Sequence, residues 1–298
     1  MHGVSFDADL LSSYGFSEDS DFSKYISYPN VKIINNSWGS NCNFDNILKE
    51  KTDIDNFEDL SSDEVFDNIV TFMNEQDGDT DLDSYLDPIV EAMDEDKLLV
   101  FSAGNEGQTL SNLSTYAPYF KYGVEKNQIN VTAVFNSTKE NSHLTRNSDG
   151  SINGDYINSF FSNLAKYCED YSIAAPGWDI LSADSSNSSN FINEDGTSMA
   201  APFVTGSAAL VQQAFPYMNS KQIGDVILST ANNQINLEHQ YAVTFKDDSD
   251  DDEDEQLKFK LKNIDEGIGG ANQYSVSVFY FDDRTRSNEE IIDDIAAF

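Results

Sequence analysis

The first two thirds of the chain alternate between short apolar runs and amphipathic segments. Three short, mostly apolar runs have the length and composition of buried parallel strands: 31–35, 98–102 and 129–134. Apolar residues recur at helical spacing within 82–93, and an Asn-Ser pair begins a second amphipathic helix over 219–230. Strands that alternate with helices predict an α/β fold of three layers, with a mostly parallel sheet flanked by helices.

An acidic segment over 41–81 separates two of these core elements, and we interpret it as an insertion. Ser61 and Glu64 form a capping-box pattern ahead of apolar residues at helical spacing, so the insertion is expected to carry a helix. The aspartates that alternate along 77–83 match the carboxylate spacing of a calcium loop, but the sixth position is not glycine and Pro88 replaces the bidentate glutamate. We therefore favour a solvated acidic loop, with structural calcium as the open alternative.

The C-terminal part predicts a β-hairpin over 241–262 with an acidic tip. Its strands are 241–246 and 256–262, and in the second strand apolar residues alternate with lysines, so that one face is apolar and the other basic. The tip, 247–255, is almost entirely acidic. Charge repulsion favours a solvated tip over one that folds onto the lysine face or holds cations. A capping pattern at Ser287 predicts a final helix.

The composition limits the kinds of partner. A formal net charge of −36 and a pI near 4.1 argue against binding to nucleic acid or to anionic membrane surfaces. Every apolar run falls short of the roughly 20 residues of a membrane helix, and no secretory signal pattern is visible. Cys42 and Cys168 set no disulfide framework, so they are either free or paired. The oligomeric state is left open.

The strongest chemical signal is the heptapeptide Gly196-Thr-Ser-Met-Ala-Ala-Pro202, in which Ser198 stands where a loop becomes an apolar helix. Unpaired N–H groups and the helix dipole favour negative charge at such a position. A serine nucleophile needs that field, together with a base that takes its proton. Pro202 is predicted to lie in the first helical turn, where its missing N–H costs nothing. An ordinary serine-capped helix is the alternative.

Two of the predicted strands end in polar, glycine-containing segments: Ser37-Trp38-Gly39 and Ser102-Ala103-Gly104-Asn105-Glu106. The Asn105 amide can donate a hydrogen bond without adding a titrating charge, which suits a group that stabilises an oxyanion. Support of the turn is the alternative role for this residue.

These segments, in this order, resemble those of the subtilisin-like serine proteases, and residues 33–39 are similar to those of bacterial secreted or autotransporter-type members. The resemblance implies that Ser198 is the nucleophile and that Asn105 and the Ser198 N–H bind the oxyanion. It implies that a peptide or protein substrate pairs as an added strand. The substrate-binding residues implied are Ser37, Trp38, Gly39, Ser102, Ala103 and Gly104. Glu106, at the implied pocket rim, would favour basic substrate side chains.

The same resemblance implies peptide-bond hydrolysis through an acyl-enzyme, with no cofactor required for the chemistry, outside the cytoplasm or at the cell surface. Members of this family carry an Asp-Thr/Ser-Gly turn and a His-Gly-Thr turn ahead of the serine, and neither occurs among the 298 residues. Segment 1–10 resembles the turn after the histidine helix. We therefore expect 1–298 to be a partial, N-terminally truncated catalytic domain that is inactive by itself.

Other classes of function stay open at this point. A non-catalytic peptide-binding pseudoprotease or surface-interaction module fits the missing motifs, and an acidic cation-binding protein is a third class. For the structure, we expect Ser198 at a helix N-terminus with the Asn105 side chain turned toward the same cleft. None of His2, His143 and His239 is expected within hydrogen-bond reach of Ser198.

Overall fold

The computed structural model describes residues 4–5, 8–11, 27–39, 44, 48, 61–75, 82–120, 127–136, 156–158, 161–184, 190–231, 239–245, 260–264 and 274–281. The helices are α1 (Ser62–Glu75), α2 (Leu82–Asp94), α3 (Ala117–Phe120), α4 (Thr197–Ala214) and α5 (Ser220–Ser229). The strands are β1 (Ile33–Asn36), β2 (Leu98–Ser102), β3 (Gln128–Asn136), β4 (Tyr156–Asn158), β5 (Ser172–Pro176), β6 (Ile180–Ala183), β7 (Phe191–Glu194), β8 (His239–Phe245), β9 (Lys260–Ile264) and β10 (Tyr274–Phe281). None of these helices is both long and apolar enough to cross a membrane.

A parallel sheet forms the centre of the fold. β1 pairs with β2, β2 with β3, and β3 with β5, all in parallel, so that Ile33 lies opposite Leu98 and Leu99 opposite Gln128. β4 pairs antiparallel with the end of β3. The three apolar runs of the sequence correspond to β1, β2 and β3, and the predicted, mostly parallel α/β sheet is confirmed.

Alternate residues of β2 point into two separate hydrophobic clusters. Leu99 and Phe101 pack with α1 and α2, whereas Leu98 and Val100 pack with α4 and α5. All five residues of β2 are buried, as a strand with both faces covered requires. The helices therefore lie on both faces of the sheet, as predicted.

Helix α1 begins with the predicted capping box. Ser61 N–H donates to Glu64 Oε2 at 2.9 Å, and Glu64 N–H donates to Ser61 Oγ at 3.3 Å. Its apolar face, which includes Phe66, is buried in the same cluster as α2, so this helix is part of the core. That the whole of 41–81 is a separate insertion stays a prediction, and the aspartates of 77–81 lie outside the described residues.

Helix α5 is capped as the sequence predicted and is anchored to the turn before β2. Asn219 and Gln222 form a capping box. Asp96, in the left-handed region at φ 57°, accepts the Ser220 N–H with Oδ1 at 2.8 Å. Its Oδ2 accepts from Lys32 Nζ at 3.1 Å. These contacts fix α5 against one end of the sheet.

Cys168 carries a free thiol that is fully buried. Burial raises the pKa of this thiol to about 12. The group is therefore neutral and poorly nucleophilic at neutral pH, and its role is in packing. Of the two alternatives that the sequence left open, Cys168 is free; Cys42 lies outside the described residues.

The pairing of the C-terminal strands differs from the predicted hairpin over 241–262. β8 and β9 do not pair with each other; β10 lies between them, parallel to β8 and antiparallel to β9. β8 and β9 run antiparallel to each other, as the strands of a hairpin would, but β10 separates them. Alternation of residues along a strand fixes its two faces but not its partner strand. The acidic tip at 247–255 and the helix predicted from Ser287 lie outside the described residues.

Candidate active site

The serine segment lies at the start of α4. Gly196 is the N-cap with φ 150°, a backbone conformation that favours glycine, and Ser198 is the second residue of the helix. Ser198 therefore lies at a helix N-terminus, as predicted. The start of a helix favours negative charge in front of it. In the first turn of α4, the Thr197 N–H donates to Asn105 Oδ1 at 2.9 Å and the Met199 N–H donates to Gly196 O at 3.0 Å.

Helix α4 approaches the sheet closely because its buried side chains are small. Ala200, Ala201, Val204 and Ala208 are buried and pack with residues of β2, β3 and β5. Protein interiors are close-packed, so a helix held in this way has little freedom to shift. The position of Ser198 is thus fixed by the packing of the helix behind it.

The segment 174–177 (Ala-Ala-Pro-Gly), which ends β5, packs against the start of the serine helix. Gly177 O accepts the Gly196 N–H at 2.8 Å. A Cβ added to Gly177 would lie 2.6 Å from the Ala133 Cβ and 2.7 Å from the Gly196 carbonyl oxygen. The absence of a side chain at Gly177 therefore lets the serine loop and the sheet approach each other.

Pro202 lies in the second turn of α4, one turn further along than the sequence predicted, because the helix begins at Thr197. A residue with an N–H at this position would donate to the Ser198 carbonyl, four residues back. Proline cannot, so that carbonyl is available to another donor. Ser37 Oγ replaces the missing helical N–H and donates to Ser198 O at 2.9 Å.

The contact between the two serines is reciprocal. Ser198 Oγ donates to Ser37 O at 3.3 Å. Asn35 Nδ2 donates to Ser37 Oγ at 2.9 Å, and Thr205 Oγ1, on α4, donates to Asn35 Oδ1 at 2.8 Å. These hydrogen bonds connect α4 to the end of β1 at two points, Ser198 and Thr205. The sequence singled out both serines, but no local pattern marks Asn35 or Thr205.

Asn105 follows β2 and contacts the start of the serine helix. Its Oδ1 accepts from both the N–H and the Oγ1 of Thr197, each at 2.9 Å. The amide nitrogen is 3.5 Å from the position of a Cβ added to Gly196, and the residue is exposed. Thr197 thus occupies the amide oxygen and directs the donor end of Asn105 toward the front of the helix, on the same side as Ser198.

Other residues singled out in the sequence have different surroundings. Ser102 and Ala103 are buried, and the Ala103 backbone is bonded within the protein: its N–H donates to Val131 O at 3.0 Å and its carbonyl oxygen accepts from Asn163 Nδ2 at 3.1 Å. The Trp38 ring packs edge-on against Phe101, with centroids 5.9 Å apart. Asn112 Nδ2 donates to Trp38 O at 2.9 Å, and its backbone N–H donates to Ala103 O at 2.8 Å. Asn112, which sequence reasoning missed, therefore bridges the two strand ends.

Two glycines complete these strand ends. Gly39 is exposed, and an added Cβ there would lie 1.5 Å from Asn112 Nδ2. Gly104 has φ 106°, and its N–H donates to Thr197 Oγ1 at 3.2 Å. The left-handed backbone of Gly104 favours glycine, and a side chain at Gly39 would force the Asn112 amide away from its present position.

The side chains of the three histidines lie outside what the structure describes: His2 and His143 altogether, and His239 except for its backbone in β8. The expectation that none of them reaches Ser198 stays a prediction. Among the described residues, no group of three or more His, Cys, Asp and Glu side chains is placed to hold a metal ion. The catalytic and substrate-binding roles of the predicted site residues likewise stay predictions.

Comparison with known proteins gives a family match over most of the chain. A profile of the subtilase family of peptidases (S8) matches residues 1–256. An extracellular serine protease of Serratia marcescens is 29% identical over 266 residues, which are 78% of this chain and 24% of that protein. The autotransporter lipoprotein NalP of Neisseria meningitidis serogroup B is 28% identical over 134 residues, 45% of this chain and 12% of that protein. The chain spans a quarter or less of the length of these relatives.

Solved structures give weaker similarities. Sphericase is 20% identical, with a TM-score of 0.39, over 69% of this chain and 50% of that chain. The prenylagaramide maturation protease PagA is 18% identical, with a TM-score of 0.38, over 71% of this chain and 55% of that chain.

Proposed function

The chain belongs to the subtilase family, and from that premise we propose that it carries the nucleophile and the oxyanion-binding groups of a serine endopeptidase. The observation that carries the proposal is the meeting of Ser198 and Asn105 at the N-terminal end of α4. Because Thr197 occupies the amide oxygen, the nitrogen of Asn105 is the end that is free to donate to a developing oxyanion.

In the proposed reaction, Ser198 Oγ forms a bond to the carbonyl carbon of the scissile peptide while a base takes its proton. The negative charge that develops on the carbonyl oxygen is stabilised by Asn105 Nδ2, by the Ser198 N–H and by the helix dipole. The tetrahedral intermediate collapses, the C–N bond breaks, and the leaving amine takes the proton from the base. Water then hydrolyses the acyl-enzyme by the same steps in reverse. Subtilase chemistry needs no cofactor.

The base and the group that orients it are proposed to come from outside these 298 residues. The Asp-Thr/Ser-Gly and His-Gly-Thr turns that the family uses do not occur in this sequence. The position of Val4 supports this origin of the base. Val4 lies against Gly206 of the serine helix, so closely that a Cβ added to Gly206 would be 2.8 Å from the Val4 Cβ. The segment likened to the turn after the histidine helix therefore reaches the helix that carries Ser198. We expect residues 1–298 by themselves to be inactive.

The setting of the reaction is proposed from the named relatives. An extracellular protease and an autotransporter lipoprotein are among the proteins to which this chain is similar, which supports action outside the cytoplasm on peptide or protein substrates. A net charge of −36 favours solubility of the protein in water. Structural calcium stays an open alternative for the acidic segment.

A preference for basic substrate side chains is proposed from Glu106. This residue is exposed beside Asn105, and its Oε2 accepts the Asn105 N–H at 2.9 Å. A carboxylate held next to the site attracts positive charge. The complete gene product should therefore cleave Lys-containing peptides faster than matched Glu-containing ones, and equal rates would refute the preference.

A peptide-binding module without catalysis is the competing function, favoured by the absent Asp and His turns. Peptide hydrolysis by the complete gene product, its Ser198→Ala variant and residues 1–298 separates the two. The proposal predicts turnover by the complete gene product alone, and none by the variant or by residues 1–298. Peptide binding without turnover in all three would support the module. Ser198-dependent turnover by residues 1–298 would show that another residue in them acts as base.

A further inference from the structure

We propose that Asn163 is a positioning residue that holds the loop 103–108 in the shape that presents Asn105 to the cleft. Asn163 lies between β4 and β5, 57 residues from Glu106 in sequence, and is only 2% exposed. The inference deepens the proposed function, and its catalytic part rests on that proposal.

The side-chain amide of Asn163 directs all of its hydrogen-bonding capacity to this one loop. Its Oδ1 accepts from the N–H groups of Glu106 and Gln108, both at 3.0 Å. Its Nδ2 donates to Ala103 O at 3.1 Å and to Glu106 Oε2 at 2.8 Å. An asparagine amide has two donors and two acceptor positions, so the set is complete.

The backbone around Asn163 adds to the same contact. Its N–H donates to Gly104 O at 3.0 Å, and the Gly107 N–H donates to Phe161 O at 2.9 Å. A Cβ added to Gly104 would lie 2.3 Å from Asn163 Nδ2. The loop is thus folded around the Asn163 amide, with the glycine at its closest point.

The contact reaches Asn105 through Glu106. The Asn105 N–H donates to the same Glu106 oxygen that Asn163 Nδ2 contacts. Without the Asn163 donors, Glu106 would lose one of its two anchors, and the backbone of Asn105 would lose its fixed acceptor. Placement matters at such a site, because a shift of about 1 Å costs on the order of 100-fold in rate.

Hydrogen exchange in residues 1–298 tests the structural part of the proposal. Asn163→Ser removes the side-chain acceptor of the Glu106 and Gln108 amides, and both are expected to exchange at least about tenfold faster, while the amides of α1 do not change. Asn130→Ser is the matched control, because Asn130 is also fully buried but its Nδ2 donates to Ser172 Oγ, at 3.0 Å. Loop exchange that is unchanged in folded Asn163→Ser would overturn the proposal.

Kinetics of the complete gene product test the catalytic part. Asn163→Asp keeps both acceptor bonds but sets a carboxylate oxygen against Ala103 O and Glu106 Oε2. It should lower kcat about 10- to 100-fold with KM within about twofold. Glu106→Gln added to Asn163→Asp supplies a donor to the new carboxylate and should recover part of kcat. Asn130→Asp should leave kcat per folded molecule unchanged.

The outcomes are distinguishable. A lower kcat per folded molecule with partial rescue supports the proposal, whereas a merely structural role would lower the folded fraction and leave kcat per folded molecule unchanged. Faster loop exchange with unchanged kcat would overturn the positioning role and leave the proposed function intact. If the complete gene product shows no Ser198-dependent turnover, the proposed function fails and the catalytic part of this inference fails with it. The exchange experiment still decides whether Asn163 orders the loop.

Discussion

The two sides of the candidate site are held by different forces. On the serine side, small buried residues such as Ala200 and Ala201 place α4 against the sheet, and Gly177 lies against the loop before the helix. On the asparagine side, the loop 103–108 follows a strand end and is fixed by hydrogen bonds from Asn163 and Thr197. One side is held by close packing and the other by polar contacts.

Packing therefore fixes the position of the serine helix, whereas hydrogen bonds fix the direction of the Asn105 donor. A close-packed interior converts an added methyl group into strain, so a change on the serine side should lower stability. A hydrogen bond contributes only about 0.5–1.5 kcal/mol net. A change on the asparagine side should therefore alter the direction of a donor at little cost to the fold. We expect stability effects on the first side and turnover effects on the second.

The largest effect is expected for Asn105 in the complete gene product. Asn105→Ala should lower kcat by about 10²–10³-fold, the loss measured for an oxyanion-hole asparagine in a subtilisin. Asn105→Asp is the matched variant, because it keeps the acceptor for Thr197 but has no Nδ2 donor; it should lose at least as much kcat and retain stability. Kinetics with thermal unfolding provide the measurement. Near-normal kcat in Asn105→Asp would mean that Asn105 serves only to cap the helix.

A change in packing on the serine side should lower stability, whereas the Asn105 variants lower kcat. Gly177→Ala places a Cβ within 2.7 Å of the Gly196 carbonyl oxygen and closer still to Ala133, so it should destabilise the fold by about 1–3 kcal/mol. Denaturant unfolding of residues 1–298 measures the loss. Ala183→Gly, in the exposed strand β6, is a surface control for a change of one methyl group. A Gly177→Ala variant as stable as the wild type would refute the claim that packing fixes the serine side.

The contact between the two serines predicts a smaller effect. Ser37→Ala removes the donor to the Ser198 carbonyl and should cost about 1 kcal/mol of stability. In a Pro202→Ala background, the restored helical N–H should satisfy that carbonyl and reduce the loss. A double-mutant cycle on unfolding free energies measures the coupling. Equal losses in both backgrounds would show that Pro202 does not leave this carbonyl to Ser37.

The smallest effect concerns a contact far from both sides. Burial of Asp96 raises the pKa of its carboxyl, but hydrogen bonds from Ser220 and Lys32 outweigh it, so that the pKa lies below its ordinary value. The stabilisation is therefore complete above the ordinary pKa and is lost as the pH falls through the folded-state value. Because the Asp96 side chain is 42% exposed, we expect less than about 1 kcal/mol. Asp96→Asn should flatten the acid limb of the stability profile, and an unchanged limb would contradict this.

The elements of the core could be predicted from local sequence. Apolar runs gave β1 and β2, and the caps at Ser61 and Asn219 marked two helix starts, because these signals depend on near neighbours. The serine segment was also recognisable locally, since a whole heptapeptide carries it. These local signals predicted whether each segment is a helix or a strand, and approximately where it begins and ends.

Contacts between distant segments could not be predicted in this way. Ser37 and Ser198 lie 161 residues apart, and neither the Pro202 gap nor the Ser37 donor that fills it follows from either segment alone. The same holds for Asn163, which has no distinguishing neighbours in sequence. The predicted hairpin failed for the related reason that the partner of β9 is β10, a choice that depends on the whole sheet.

Labelling of the complete gene product with a fluorophosphonate, followed by mass-spectrometric mapping of the adduct, tests the central claim most directly. A serine that is activated at a helix N-terminus beside an oxyanion donor should react, so the account predicts an adduct on the peptide that contains Ser198. Ser198→Ala should abolish both the adduct and peptide hydrolysis. An adduct on a different residue, or peptide hydrolysis that persists in Ser198→Ala, would contradict the account.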